Sequence, residues 1–205
     1  MYKRNALRLI AGSAILVGVS GVLTACKPGA SKASFNAIDL TGSKEYVQDF
    51  AMPDQNGQPR TMADFKGKAT LLFFGFTQCP DVCPTTLSDL AAVKQKLGTK
   101  GDKLQVIFVS VDPARDTPEI LKAYMANFDP SFIALRGSEE ELAKMAKDFK
   151  IYYKKVDGAA PGSYTMDHTA GDYIFDPQGR LRLYSRYGTP VDTLTKDIEQ
   201  LIDGA

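Results

Sequence analysis

Four residues of this 205-residue chain carry chemistry beyond packing and charge: Cys26, Cys79, Cys83 and the sole histidine, His168. Cys79 and Cys83 stand four apart in Phe76-Thr77-Gln78-Cys79-Pro80-Asp81-Val82-Cys83-Pro84. Each precedes a proline, which pushes its backbone out of the helical region. Pro84 suits a first helical position, leaving Cys83 at the cap. Free N–H groups and the positive end of the helix would there favour a thiolate. Such a pair can close a structural disulfide, act as a redox dithiol, or ligate a metal with further help. A disulfide closing a five-residue loop contributes about 2 kcal/mol, on which a domain of this size has no need to depend. The redox and metal readings both stay open on the loop alone.

The elements around these residues alternate. Ala69–Phe76 and Leu104–Val111 are continuous apolar runs, expected as strands buried on both faces. A short strand at Asp49–Met52 precedes the hairpin signal Asn56-Gly57. Helices are expected at Pro84–Leu97, from Thr117-Pro118 to Phe128, from the capping box Ser138-x-x-Glu141 to Phe149, and from Thr189-Pro190 to Ile202. Ile151–Val156, Tyr173–Phe175 and Leu181–Tyr184 complete the strands, the last two joined by the turn Asp176-Pro177-Gln178-Gly179. Two parallel βα units, an antiparallel hairpin and a closing helix predict an α/β, thioredoxin-like fold with a mixed central sheet flanked by helices.

That layout puts the cysteine loop at the carboxyl end of a buried strand, where open sheets build their sites. It also puts His168 in a loop just before the Tyr173–Phe175 strand, beside the active-site turn. Thioredoxins keep a cis-proline there. No proline occurs between Gly162 and Asp176, and a nitrogen ligand stands near that place instead. Two thiolates and an imidazole form a soft three-ligand set that suits Cu(I), also binds Cu(II), and leaves a position open. A structural zinc site would want a fourth ligand, for which Asp81 or Asp167 would have to be recruited. Asp112, Arg115 and Asp116 lie on the same rim. They read equally as a turn with an Asp–Arg pair and as support for the ligands, a role for which Asp81 and Asp167 are also candidates.

The N-terminus suggests the compartment. Met1–Arg8 is basic, and the apolar stretch Leu9–Leu23 is 15 residues long, short of the roughly 20 a spanning helix needs. It ends in Leu23-Thr24-Ala25-Cys26, which resembles the lipoprotein signal box of bacteria. The expectation is a signal peptide over 1–25, lipidation of Cys26, a flexible tether over 26–45 reaching roughly 25 Å, and a copper-binding domain over 46–205. Beyond the leader, 22 basic and 24 acidic side chains leave a net charge of −2, and no basic stripe marks a nucleic-acid surface.

Three motifs in order, Phe74–Pro84, Ser110-Val111-Asp112-Pro113-Ala114-Arg115-Asp116-Thr117-Pro118 and Tyr164-Thr165-Met166-Asp167-His168-Thr169, resemble the Sco/SenC family over about Phe50–Ile202. That family comprises membrane-tethered copper proteins needed to build cytochrome c oxidase. The resemblance implies copper ligation by Cys79, Cys83 and His168, and delivery to the copper A site of an oxidase subunit. Such delivery takes place at the periplasmic or extracytoplasmic face of a lipid-anchoring membrane, with a thiol reductant and an upstream copper donor as further partners. Gln78 departs from the family, whose members commonly carry histidine there. The competing function is a thiol–disulfide oxidoreductase acting on the acceptor's cysteines, with Cys79 and Cys83 as its redox disulfide. A copper or redox sensor that only binds is the third.

Overall fold

The computed structural model describes residues 34–46 and 49–205. The signal segment and Cys26 lie outside the described residues. Strands β1 (Ile38–Asp39), β2 (Ala51–Pro53), β3 (Pro59–Thr61) and β4 (Ala69–Gly75) lead to helix α1 (Val82–Lys96). Then come β5 (Leu104–Ser110), α2 (Pro118–Ala126), β6 (Ile133–Leu135), α3 (Glu139–Asp148), β7 (Tyr153–Asp157), β8 (Tyr164–His168), β9 (Gly171–Phe175), β10 (Leu181–Arg186) and α4 (Val191–Ile202).

Six strands form one mixed sheet in the order β1-β10-β9-β4-β5-β6. β4 runs parallel to β5 and antiparallel to β9. Every residue of β4 and β5 is buried, as their unbroken apolar character requires. Adjacent phenylalanines of β4 serve opposite faces. Phe73 stacks with Phe108, which meets Tyr124 of α2, while Phe74 packs on Phe149 and Tyr173. The caps read from sequence are present. Thr117 accepts the Ile120 N–H, and Ser138 and Glu141 form the expected capping box. Gly179, at φ 80°, closes the β9–β10 turn by donating to the Asp176 carbonyl at 2.8 Å.

Four expectations change. First, α1 begins at Val82, with Asp81 at its cap, so Cys83 is helical. Pro84 falls at the third helical position, where a missing N–H costs nothing because first-turn amides have no partner within the helix. Its bias on the preceding residue is overridden.

Second, His168 ends a strand and does not lie in a loop. β7 and β8 form a separate hairpin in which Tyr153 pairs with His168. Third, the short strand β6 extends the sheet beside β5.

Fourth, the tether cannot run to residue 45. β1 pairs with β10, the backbone N–H groups of Asn36 and Ala37 donate to the buried carboxylate of Asp197 at 2.8–3.0 Å, and Phe35, Ala37 and Leu40 pack on the core. Small and polar residues hid this attachment, because much of it is made by backbone groups. No described helix is long and apolar enough to cross a membrane.

Candidate metal centre

The sulfur pair is held differently at its two ends. Cys83 points from the first turn of α1 into the core and is 0% exposed. Its sulfur lies against the end of β4. A Cβ at Gly75 would come within 2.9 Å of the Cys83 Sγ and 2.8 Å of Phe108 Cε2, so only glycine leaves room for the thiol. Cys79 is half-buried, and its Sγ accepts the backbone N–H of Cys83 at 3.4 Å. A first-turn amide of α1 therefore serves Cys79, not Cys83. Burial, with added contributions from Cys79 and Asp116, pushes the Cys83 thiol well above its ordinary range, against the opposing Phe76 backbone amide. This reverses the expectation of an easily ionised Cys83: desolvation outweighs the helix end.

His168 meets this sulfur. Its Nε2 lies 3.8 Å from the Cys83 Sγ, and its Nδ1 lies 3.0 Å from the Thr169 carbonyl. A carbonyl can only accept, so Nδ1 carries the proton and Nε2 turns a free lone pair to the sulfur. Phe73 and Phe76 meet the ring edge-on, fixing its plane. Burial holds the imidazole below its ordinary pKa, outweighing the Thr169 hydrogen bond and the Asp167 charge. The ring is therefore neutral at pH 7.

The spacing admits a shared metal. Sulfur and nitrogen at roughly 2.3 and 2.0 Å from one ion, at a trigonal angle, stand about 3.7 Å apart. The observed contact needs almost no movement. Cys79, beside the same helix end, is the third donor within the loop. No three His, Cys, Asp or Glu side chains already stand in metal-holding positions among the described residues, so a three-donor set would need Cys79 to turn toward the Cys83–His168 pair.

Two of the four carboxylates singled out by sequence support this arrangement. Asp116, fully buried, accepts Thr77 Oγ1 and Ser110 Oγ at 2.6 Å each and the Thr77 N–H at 3.2 Å, clamping the start of the cysteine loop to the end of β5. Burial raises its pKa despite these donors. Asp112 pairs with Arg115 and accepts the Tyr164 hydroxyl at 2.9 Å. Asp81 only accepts Thr85 Oγ1 at 3.4 Å on the surface, and Asp167 is exposed on β8. Neither is a ligand in this arrangement.

Sequence reasoning missed Gly75 and Tyr124. The Tyr124 hydroxyl is buried without a hydrogen-bond partner among the described residues, and its pKa is raised by burial first and then by Cys83, Cys79 and Asp116. A hydroxyl-bearing residue on an otherwise apolar helix face was the available signal.

The different settings of the two thiols predict their order of reaction. In the reduced, metal-free protein, iodoacetamide should alkylate Cys79 at least about tenfold faster than Cys83, because thiolate fraction and access both govern the rate. Peptide mapping over a time course checks this. Equal rates would contradict the buried placement of Cys83.

A sequence profile described as SCO1/SenC matches residues 38–203. An SCO2-like protein of Rickettsia felis is 31% identical over 98% of this chain and 97% of its own length. Among solved structures, Bradyrhizobium japonicum ScoI with copper bound is 42% identical, with a TM-score of 0.68 over 75% of this chain and 97% of that one. The apo Sco1 protein of Thermus thermophilus is 39% identical, with a TM-score of 0.72 over 84% and 99%. These neighbours and the mixed sheet establish the thioredoxin-like α/β fold. The chain belongs to the SCO1/SenC family.

Proposed function

We propose that this protein is a copper chaperone that captures the ion through Cys79, Cys83 and His168 and passes it to the copper A site of cytochrome c oxidase. The observation that carries the reading is the contact between the Cys83 Sγ and the unprotonated Nε2 of His168 at 3.8 Å. A bare imidazole nitrogen aimed at a buried thiol completes a soft donor set, and as a base it can also take the thiol's proton when a metal enters. The copper-bound relative supports the choice of ion, and the soft donors suit it.

Capture releases the thiol protons as the sulfurs bind. Half-buried Cys79 is the donor that leaves first when an acceptor thiolate enters the open position, and Cys83 and His168 follow. Copper keeps its oxidation state throughout, so transfer is ligand exchange without electron flow. The thiols must be reduced beforehand, and a Cys79–Cys83 disulfide needs two electrons and two protons from an external dithiol. Acylation at Cys26 would hold the domain at the outer face of the cytoplasmic membrane, beside the oxidase.

A thiol–disulfide reductase is the second reading. One accessible and one buried cysteine, Cys79 and Cys83, form the pairing of an attacking and a resolving thiol. Anaerobic titration of the reduced protein with Cu(I), followed by X-ray absorption, tests the first reading. The expected result is one ion bound by two sulfurs and one nitrogen. Sulfur-only coordination would remove His168 from the site.

A further inference from the structure

The main sheet anchors the roots of the two donor segments, since β4 leads into the cysteine loop and pairs with β9, which follows His168 by three residues. The loop and β8 themselves lie beyond those pairs. β7 and β8 pair only with each other among the described residues, and an isolated two-stranded hairpin is marginal by itself. The cysteine loop from Phe76 to Asp81 contains no strand and no helix. Beyond those strand ends, the spacing of Gln78 and Cys79 from the start of β8 depends on side chains that reach both.

Arg115 reaches both. Its Nη1 donates to Gln78 Oε1 at 3.1 Å and to the Tyr164 carbonyl at 2.8 Å, while its Nε donates to Asp112. Its guanidinium lies 3.6 Å from the centroid of the Tyr164 ring and 5.9 Å from that of Phe76. Tyr164 in turn donates its hydroxyl to Asp112, and Lys155 sits 4.1 Å from the same ring. Gln78 is the residue before Cys79, and Tyr164 begins the strand that His168 ends.

We propose that Arg115 is the positioning residue that sets the distance between the cysteine loop and the His168 hairpin, with Gln78 as its anchor on the loop. A planar guanidinium can serve three acceptors lying in different directions and stack on a ring at once. A lysine ammonium at the same place can do neither the fork nor the stack. Gln78 supplies a neutral acceptor that holds the loop at any physiological pH. The consequence for metal capture rests on the copper reading, whereas the tie itself is measurable without metal.

The test is a double-mutant cycle on the reduced, metal-free protein, read by amide hydrogen exchange over residues 77–81. Gln78→Ala, a change at an exposed position, should speed exchange there about tenfold. Arg115→Met should do at least as much, and the double variant should add nothing to Arg115→Met, as coupled partners require. Arg115→Lys should remain fast. Loaded with Cu(II), Arg115→Met should show a weakened nitrogen hyperfine signature and an affinity about 10–100-fold lower, the range for losing a group that orients a ligand.

Additive exchange effects, or Gln78→Ala exchange equal to that of the parent, would overturn the proposal. So would an Arg115→Met protein that loses stability yet keeps parental loop exchange and the parental nitrogen signature. Should the parent take up no copper, the chaperone reading fails while the exchange cycle still decides the tie.

Discussion

Replacing His168 with alanine should lower copper affinity more than about a hundredfold, the ceiling for losing a group that merely supports a ligand, while leaving attack on a disulfide substrate by the half-buried Cys79 in place. The expectation follows from geometry. Nε2 is the one nitrogen facing the Cys83 sulfur, its tautomer is set by the Thr169 carbonyl, and its pKa is held down by burial. No proton competes for it near neutrality. Dithiol exchange, by contrast, needs the two sulfurs and the access that Cys79 provides. The ring's edge contacts with Phe73 and Phe76 contribute modestly to packing, so the variant should fold. Competition with a Cu(I) chelator measures affinity, and a fluorogenic disulfide measures reductase activity. Unchanged affinity with intact reductase activity would end the chaperone reading and leave the second one standing.

The sequence carried the frame of this site further than its details. β4 and β5 announced themselves by unbroken apolar runs, and α2 and α3 by caps whose hydrogen bonds are local in sequence. The separate β7–β8 hairpin was half legible: the expected strand Ile151–Val156 overlaps β7, whereas β8 went unread. β8 alternates half-buried and exposed residues, but over five residues with none fully buried the pattern is too short to stand out. That concealment moved His168 from an expected loop to a strand end. Cys83 was misjudged for a different reason. Proline rules describe local backbone preference, whereas its ionisation is decided by Phe76, Gly75 and the sheet packed around it. The Arg115 contacts join residues 37 and 49 positions apart, a distance over which one sequence offers no pattern. Asp112 and Arg115 could be read as a pair, but their reach to Gln78 and Tyr164 could not.

The largest stability effect is expected at Asp172, a residue that hydrophobic patterning passes over as one polar position in an apolar strand. It lies on β9, opposite Phe73 of β4 and Ser185 of β10, with Oδ1 buried and unpartnered among the described residues. With Thr86 and Asp89 of α1 and Arg186 of β10 it lines a cavity of ≈ 20 Å³. Tyr184 is a further titratable group near it on β10. Burial, reinforced by the Asp89 charge, pushes its carboxyl from an ordinary 3.8 up to about 7. A difference of that size corresponds to about 4 kcal/mol. Its direction follows from linkage: the unfolded chain ionises near pH 4 and the folded one near 7, so over that window the folded state binds the extra proton. Stability from this group is complete below about pH 4, falls as pH rises toward 7, and is flat above. Asp172→Asn removes the ionisation while keeping the shape. It should match the parent near pH 4 and exceed it by up to about 4 kcal/mol above pH 7.5, read from urea midpoints at a series of pH values. A gap that does not change with pH would show that Asp172 is not the titrating group. Because Phe73 pairs with Asp172 and meets the His168 ring, the packing behind the proposed ligands should be firmest in acid. The same substitution should carry that firmness to neutral pH.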